Sequence, residues 1–314
     1  MNTKANSGAV FSQGECEFMP ELPEVETVRR GLAPVMEGAR LTKVILNRQN
    51  LRFPFPDDFV AKLEGQRVKL LGRRAKYLLM YMANGVVAIM HLGMSGSFRV
   101  ELPEGVEMPG AYYLPRSEAR SHDHVILELS GAQGSARIIY NDPRRFGFMD
   151  LVNDDDLETC KHFINMGVEP TGNALNGEII SHIFTDKQTP LKSALLDQKL
   201  IAGLGNIYVC EALWRAGLSP RRKAKTISRK NGKATARSEA LAKHIRDVIR
   251  EAIDAGGSSL RDHRQTNGEL GYFQHQFKVY DQEGKPCPKH GCEGTIERIA
   301  QSGRSTFFCA HCQR

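Results

Sequence analysis

No apolar run in the 314 residues approaches the roughly 18 consecutive residues that a helix needs to cross a bilayer. Val86–Met90, stopped by His91, is typical of what is present, so a membrane span is excluded. The opening MNTKANSGAV lacks the apolar core of a secretory signal, and export is not expected. There is no internal repeat. Acid is the scarcer charge: 36 Asp and Glu stand against 43 Lys and Arg, for a net charge of +7. Such a balance favours a polyanionic partner. The deficit is greatest over Arg221–Arg237 (RRKAKTISRKNGKATAR), which carries eight basic residues and no acid. That stretch reads either as a solvated loop between two helices or as a mobile phosphate-binding arm.

A disulfide framework is also missing. The cysteines number seven, an odd count without a signal sequence, which suits a reducing cytoplasm. Cys16, Cys160 and Cys210 are scattered, whereas Cys287, Cys292, Cys309 and Cys312 form a C-x4-C-x16-C-x2-C cluster. Two thiolate pairs on separate turns can close a tetrahedron around Zn²⁺. Four protein ligands leave no open position, so the implied metal is structural. His290 and His311 lie inside the two turns and could substitute for a thiolate. Arg304 falls between the pairs, where a hairpin turn would present it to an anion.

The 41% hydrophobic and 25% charged content suffices for a sizeable core. Residues 1–18 read as a polar tail. Leu22, Val25, Val28, Leu32 and Val35/Met36 recur at helical spacing before Gly38. Short β-branched and aliphatic segments follow at Lys43–Leu46, Val68–Leu71, Tyr77–Met82, Val86–His91, Ser97–Val100, Val125–Leu129, Arg137–Tyr140 and Gly147–Leu151. Their turn punctuation predicts an antiparallel sandwich or barrel. Helices are then expected at Asp154–Met166, Gly177–Phe184, Pro190–Asp197, Asn206–Ala216 and Ser238–Ala255, with a loop at Gly257–Gly271.

The segment Met19-Pro20-Glu21-Leu22-Pro23-Glu24-Val25-Glu26 suits a helix start, with acids in the first turn and Pro23 at its first position. It has a second capacity if translation begins at Met19 and that methionine is removed. Pro20 then becomes a free secondary amine of pKa near ~8, against ~10.4 for a lysine, so much more of it is unprotonated at neutral pH. Such an amine can attack a sugar carbon and form an iminium, with Glu21 beside it to move protons.

These residues continue into a longer pattern. PELPEVETVRRGL is followed by Arg73-Arg74-Ala75-Lys76-Tyr77-Leu78-Leu79, His91-Leu92-Gly93-Met94-Ser95-Gly96 and Asp142-Pro143-Arg144-Arg145-Phe146-Gly147. Gly203-Leu204-Gly205-Asn206-Ile207-Tyr208, Gly271-Tyr272-Phe273 and Gly303-Arg304-Ser305-Thr306-Phe307-Phe308-Cys309, with Cys312-Gln313, complete it. In this order, from Pro20 to the end, the motifs resemble the formamidopyrimidine-DNA glycosylase family.

The resemblance implies a multi-domain α+β fold. It comprises a catalytic helix and antiparallel β-sandwich over 20–152, a helical domain with a helix-two-turns-helix over 153–270, and a C-terminal four-cysteine zinc finger over 271–314. Residues 1–19 would be a non-native or removed extension. By resemblance Pro20 is the nucleophile, Glu21 the acid/base, and Glu24 a second required carboxylate. Lys76 contacts phosphate near the lesion, with His91, Arg145, Asn206 and Arg304 as further DNA contacts. Arg261 stands where a lysine is common in the lesion-recognition loop. Met94, Arg144 and Phe146 fill the gap left by the extruded base.

The implied partner is duplex DNA carrying oxidised purines such as 8-oxoguanine. One structural Zn²⁺, no catalytic cofactor, a monomer and a bacterial cytoplasm associated with the nucleoid are expected. A stacked base cannot be reached, so it must be evicted and the gap filled. Met94 is long and adaptable, Phe146 can wedge between pairs, and Arg144 can hydrogen-bond the orphaned cytosine. Two alternatives remain: the endonuclease VIII relatives that act on oxidised pyrimidines, and a non-catalytic damage-binding protein in which Pro20 stays internal. A proline nitrogen inside a peptide bond is a tertiary amide and cannot be the nucleophile.

Overall fold

The computed structural model describes residues 20–109, 119–132, 134–257 and 277–314. The amino-terminal tail, Arg261 and Gly271-Tyr272-Phe273 lie outside them. Helix α1 (Leu22–Met36) opens on Pro23 in its first turn, and the Glu24 carboxylate accepts the Glu21 N–H at 2.9 Å. Two antiparallel sheets follow, with one short helix, α2 (Phe59–Leu63), between their first strands. One sheet is ordered β1 (Arg40–Leu46), β7 (Asp123–Gly131), β8 (Gly134–Asn141), β5 (Ser97–Leu102) and β6 (Gly105–Glu107). The other is ordered β2 (Val68–Arg74), β3 (Tyr77–Met82), β4 (Val86–His91) and β9 (Phe148–Asn153).

Strand β4 shows why the run Val86–Met90 is apolar throughout. Ala88 and Met90 face the core shared by the sheets, while Val87 and Ile89 face a second cluster with Leu157 and Phe163. A strand covered on both faces loses the usual alternation. Leu157 and Phe163 belong to the segment expected as a helix over Asp154–Met166. That expectation is corrected: the chain forms a 3₁₀ turn at Asp154–Thr159 and irregular turns after it. Three consecutive aspartates repel one another, and two apolar anchors suffice to pin the segment to the sheet.

The second half is helical: α3 (Gly177–Ile183), α4 (Leu191–Leu195), α5 (Asn206–Arg215) and α6 (Ala236–Asp254). Two successive turns, at 198–200 and 202–203, join α4 to α5. Helix α6 is capped reciprocally by Thr235 and Ser238, at 3.0 and 2.9 Å. It buries Leu241, Ala242, Ile245, Val248, Ile249 and Ala252, one face at 3–4-residue spacing. A final hairpin of β10 (Ile296–Gln301) and β11 (Arg304–Cys309) turns at Ser302 and Gly303, both with positive φ. Its Ile296, Phe307 and Cys309 join the same core as α5 and α6. Leu22 belongs to that core too, whereas Val25, Val28 and Leu32 belong to the sandwich core, so α1 spans both.

Candidate active site and nucleic-acid interface

Pro20 and Glu21 lie buried where α1, the β2–β3 turn, the N-terminus of α5 and the β10–β11 hairpin converge. Glu21 Oε1 accepts the Ile207 N–H at 3.0 Å, in the first turn of α5. Its Oε2 is buried without a partner. A Cβ built on Gly205 would overlap this carboxylate, so only glycine lets Glu21 reach the helix end. Burial pushes the Glu21 carboxyl up to about 7 from its ordinary 4.5. The Lys76 ammonium and the Ile207 and Tyr208 N–H groups pull it back, and the Glu24 charge pushes it further up. Near neutral pH this group can both give and take a proton. Glu24 is fully buried and accepts both the Glu21 N–H and the Tyr208 hydroxyl.

Lys76 sits in the two-residue turn between β2 and β3. The preceding Ala75 has φ 51°, an unfavourable region for a residue with a Cβ, and its N–H donates to Glu169. Glu169 also pairs with Arg73 at 3.2 Å, and Arg73 with Glu26 at 3.2 Å, which ties α1, the turn and the helical half together. Lys76 is buried, and burial holds its ammonium below the usual lysine range. Glu21 and Glu24 oppose that shift, and the charge of Arg304 adds to it. Arg304 itself is exposed, the first residue of β11 after the hairpin turn.

Asn206 Nδ2 donates to the Ser305 carbonyl at 2.9 Å and leaves Oδ1 buried and unpartnered. Lys192, absent from the sequence expectations, shares that carbonyl at 2.9 Å and reaches the Thr306 hydroxyl at 2.6 Å. It is fully buried, and burial lowers its pKa. A signal was available: Lys192 lies three residues before Leu195, on the apolar face of a short helix.

His91 ends β4 and stacks on Phe148 with centroids 5.5 Å apart, while Tyr77 meets it edge-on at 5.0 Å. Burial, reinforced by the charges of Lys76 and Arg52, pushes it down to about 4. Its Nδ1 accepts the Gly93 N–H at 3.0 Å, which leaves Nε2–H as the outward donor of a neutral ring.

The loops of Met94 and of Arg144–Phe146 pack on each other. Gly93, at φ 63°, leaves no room for a Cβ against the Phe146–Gly147 backbone. Buried Asp142 accepts from Ser95 Oγ, from the Gly147 N–H at 2.9 Å and from the Tyr140 hydroxyl at 3.2 Å. Ser95 Oγ in turn accepts the Arg144 N–H at 3.1 Å. On this base Met94 is half-buried, Arg145 is exposed at φ 56°, and Phe146 is 43% exposed with the Arg144 guanidinium 4.9 Å over its ring.

The four clustered cysteines come together with all sulfurs within 4.8 Å of one another. Cys287 to Cys312 is 3.8 Å and Cys292 to Cys309 is 3.7 Å. A tetrahedron with Zn–S near 2.3 Å has edges of about 3.8 Å, so the donor set fits zinc. His311 Nδ1 lies 3.4 Å from Cys292 Sγ, beside the set of four thiols. The Trp214 indole N–H points at Cys287 Sγ from α5, at 3.4 Å.

The basic stretch Arg221–Arg237 differs from a mobile arm. A 3₁₀ turn at Ala224–Ile227 buries both end residues. Backbone bonds from Leu191 to Arg222 (2.6 Å), Ala224 to Thr189 (3.0 Å) and Lys225 to Lys187 (3.0 Å) fasten it beside α4.

The profile of the formamidopyrimidine-DNA glycosylase N-terminal domain matches residues 19–149, and that of its H2TH domain residues 166–264. The zinc finger found in FPG and IleRS matches residues 284–314. The formamidopyrimidine-DNA glycosylase of Chelativorans sp. (strain BNC1) is 61% identical over 297 residues, covering 94% of this chain and all of the relative. That of Beijerinckia indica is 62% identical over 296 residues, with the same coverage. Among solved structures, a C248GH mutant of the Lactococcus lactis protein in complex with THF-containing DNA superposes with a TM-score of 0.77 at 29% identity. The complex of Lactococcus lactis Fpg with abasic-site DNA gives 0.76 at 30%. Each covers 94% of this chain and all of the solved one.

Proposed function

Because the chain belongs to the formamidopyrimidine-DNA glycosylase family, we propose that it excises oxidised purines from duplex DNA with Pro20 as nucleophile. The carrying observation is Glu21: buried beside Pro20, raised to about 7, with Oε2 unpartnered. The Pro20 lone pair forms the N–C1′ bond as the bond from C1′ to the base breaks, and the amine N–H proton passes to the departing base. Glu21 gives its proton to O4′ as the sugar ring opens, which leaves an iminium joining enzyme and sugar. The iminium acidifies the 2′ proton; its loss expels the 3′ phosphate, and a second elimination expels the 5′ phosphate. Every step runs through groups of this chain, without a catalytic cofactor.

Lys76, His91, Arg145, Asn206 and Arg304 hold the phosphate backbone, and Arg261, outside the described residues, belongs to the lesion-recognition loop. Met94, Arg144 and Phe146 occupy the vacated base position. One Zn²⁺ on Cys287, Cys292, Cys309 and Cys312 fixes the hairpin that carries Arg304. A monomer in the bacterial cytoplasm suffices for this chemistry, and no helix among the described residues is long and apolar enough to cross a membrane.

The mechanism requires Pro20 to be an amino terminus, so residues 1–19 are absent from the active protein. Two findings support a start at Met19: the family profile begins at residue 19, and relatives matched over their whole length align over 296 or 297 residues. Domains at 20–152, 153–270 and 271–314 complete the reading.

Borohydride trapping on an 8-oxoguanine:cytosine duplex, with the adduct mapped by mass spectrometry, tests it. An adduct on an amino-terminal Pro20 is expected. An adduct on Lys76, the other amine of the cleft, refutes the nucleophile, and an untrapped protein with residues 1–19 intact favours damage binding without catalysis. One solved Lactococcus lactis complex holds DNA with an oxidised pyrimidine. A thymine glycol duplex therefore belongs in the panel, and faster excision there than from 8-oxoguanine would favour the endonuclease VIII reading.

A further inference from the structure

Strands β3, β4 and β9 carry a row of rings at one level. Tyr77 pairs with His91 across β3 and β4, and His91 pairs with Phe148 across β4 and β9. Directly opposed residues put their side chains on one face of a sheet. The irregular segment after β9 brings His162 and Phe163 onto this face, on a turn in which the Phe163 N–H donates to the Cys160 carbonyl at 3.0 Å. His162 stacks on Phe148 with centroids 5.1 Å and planes 23° apart. Phe148 in turn stacks on His91 at 5.5 Å and 7°. Phe53 and Tyr77 meet Phe148 steeply, at 68° and 66°. Among the described residues, the two imidazoles are therefore the rings that lie near-parallel to it, in the offset geometry that aromatic pairs prefer.

Packing alone does not call for an imidazole at position 162. The cluster on this side of the sheet is apolar, formed by Leu79, Val87, Ile89, Leu157 and Phe163. His162 is 12% exposed and keeps an acid beside it. Asp150 lies two residues along β9 from Phe148, hence on the same face. It accepts from His162 Nε2 at 2.7 Å and from the Lys161 ammonium at 2.9 Å. Burial raises the Asp150 carboxyl, but the hydrogen bonds from Lys161, His162 and the Leu151 N–H hold it below its ordinary range. An ionised acceptor fixes Nε2 as a protonated nitrogen and pins the ring by its edge. A leucine would fill this space without the cost of burying a polar group. What a leucine lacks is a flat face.

His91 is the group that this face serves. The Gly93 N–H holds its Nδ1 at 3.0 Å. One hydrogen bond fixes an edge and not a plane, and the stack on Phe148 supplies the plane. We propose that His162, anchored by Asp150, is a positioning residue for His91: through Phe148 it sets the plane of the imidazole from which Nε2–H reaches a DNA phosphate. The proposal rests on the reading of His91 as a DNA contact.

Two variants that keep apolar bulk separate plane from packing. His162→Leu removes the flat face, and His162→Phe retains it. Each is made in the wild-type and in the His91→Gln protein, and binding to matched lesion and undamaged duplexes is read by fluorescence anisotropy. A hydrogen bond to an ionised group is worth about 10–100-fold in affinity, so His162→Leu should forfeit part of that, about 3–10-fold. His162→Phe should stay within about twofold of wild type. In the His91→Gln background neither variant should change affinity by more than about twofold, because the coupling ends when the coupled group is gone. In the proton NMR spectrum of the free protein, the His91 ring signals should move further in His162→Leu than in His162→Phe.

Equal losses in His162→Leu and His162→Phe, or a His162→Leu loss that persists in His91→Gln, overturn the proposal. So does a His91 spectrum that His162→Leu leaves unmoved. A His91→Gln protein that binds DNA as tightly as wild type sinks the reading of His91 as a DNA contact, and the proposal falls with it. No readout requires base release, so a wild-type protein that binds but excises nothing would refute the glycosylase reading alone.

Discussion

Gly205→Ala isolates the role of Glu21 without touching it. The backbone at Gly205 has φ −130° and ψ −171°, an extended conformation that alanine adopts freely. The new methyl would instead overlap the Glu21 carboxyl carbon and both its oxygens. Ordinary carbon contacts lie at about 3.5–4.0 Å, so the carboxylate must retreat by roughly 1 Å or more. That movement breaks its bond to the Ile207 N–H and displaces the unpartnered Oε2. Misplacing a reacting group by ~1 Å costs about 10²-fold, and losing a general acid about 10²–10⁴-fold. Single-turnover base release should therefore fall roughly 10²–10³-fold. Overpacking should cost about 1–3 kcal/mol of stability. Zinc content and affinity for undamaged duplex should be retained. The assay is rapid-quench excision from an 8-oxoguanine duplex, with thermal melting alongside. A folded Gly205→Ala enzyme within about tenfold of the wild-type rate would refute the claim that this glycine positions the proton donor.

Glu21→Gln should be inactive yet more stable at alkaline pH. The folded pKa of about 7 lies above the ordinary 4.5, so the Glu21 contribution is fully present below 4.5 and lost as pH rises through 7. That loss amounts to about 3 kcal/mol, and the variant's Tm advantage should appear at pH 8 and vanish at pH 5; a pH-independent difference would contradict it. Zinc removal should report through the single tryptophan, since Trp214 points at Cys287 Sγ. Chelation that strips the metal but leaves Trp214 emission and DNA affinity unchanged would show that the cluster does not hold the hairpin. His91 should stay neutral from pH 5.5 to 8, visible by nitrogen NMR as an Nε2–H tautomer. His91→Gln should then preserve the salt slope of DNA binding, and a slope lowered by about 0.9 would mean that the histidine binds phosphate as a cation.

What the sequence disclosed follows from what local chemistry can encode. The strands were legible because β-branched segments between turn signals have few other fates, and the zinc cluster because four thiols at that spacing have one geometry. Helix α6 was legible from its apolar stripe. The Asp154–Met166 segment was misread because its apolar residues serve the far side of a sheet, a partner that no local window contains. The basic stretch was open to misreading because its anchors are backbone groups of residues 187–191, which side-chain patterns do not register. The partners of Lys192, whose place on an apolar helix face was the one available signal, and the Gly205 contact with Glu21 were hidden for a related reason. Each depends on two segments far apart in sequence meeting within a few ångströms, such as Lys192 with Ser305 and Thr306.

Those long-range meetings also define what the carboxy-terminal module does. A free-standing zinc finger would hold its own hairpin and leave Arg304 wherever a linker allowed. Here Phe307 and Cys309 complete the core built by α5 and α6. Gln313 donates to the Leu218 carbonyl at 2.9 Å, and Lys192 and Asn206 both seize the Ser305 carbonyl one residue from Arg304. The helical half thus sets the position of Arg304, and a zinc ion on the four cysteines would keep the hairpin rigid enough to receive it. Because α5 also offers the Ile207 N–H to Glu21, one helix aligns the acid at Pro20 and the arginine on the hairpin together. Damage to the zinc site should therefore reduce catalysis on bound DNA as well as affinity, an effect larger than the loss of one phosphate contact.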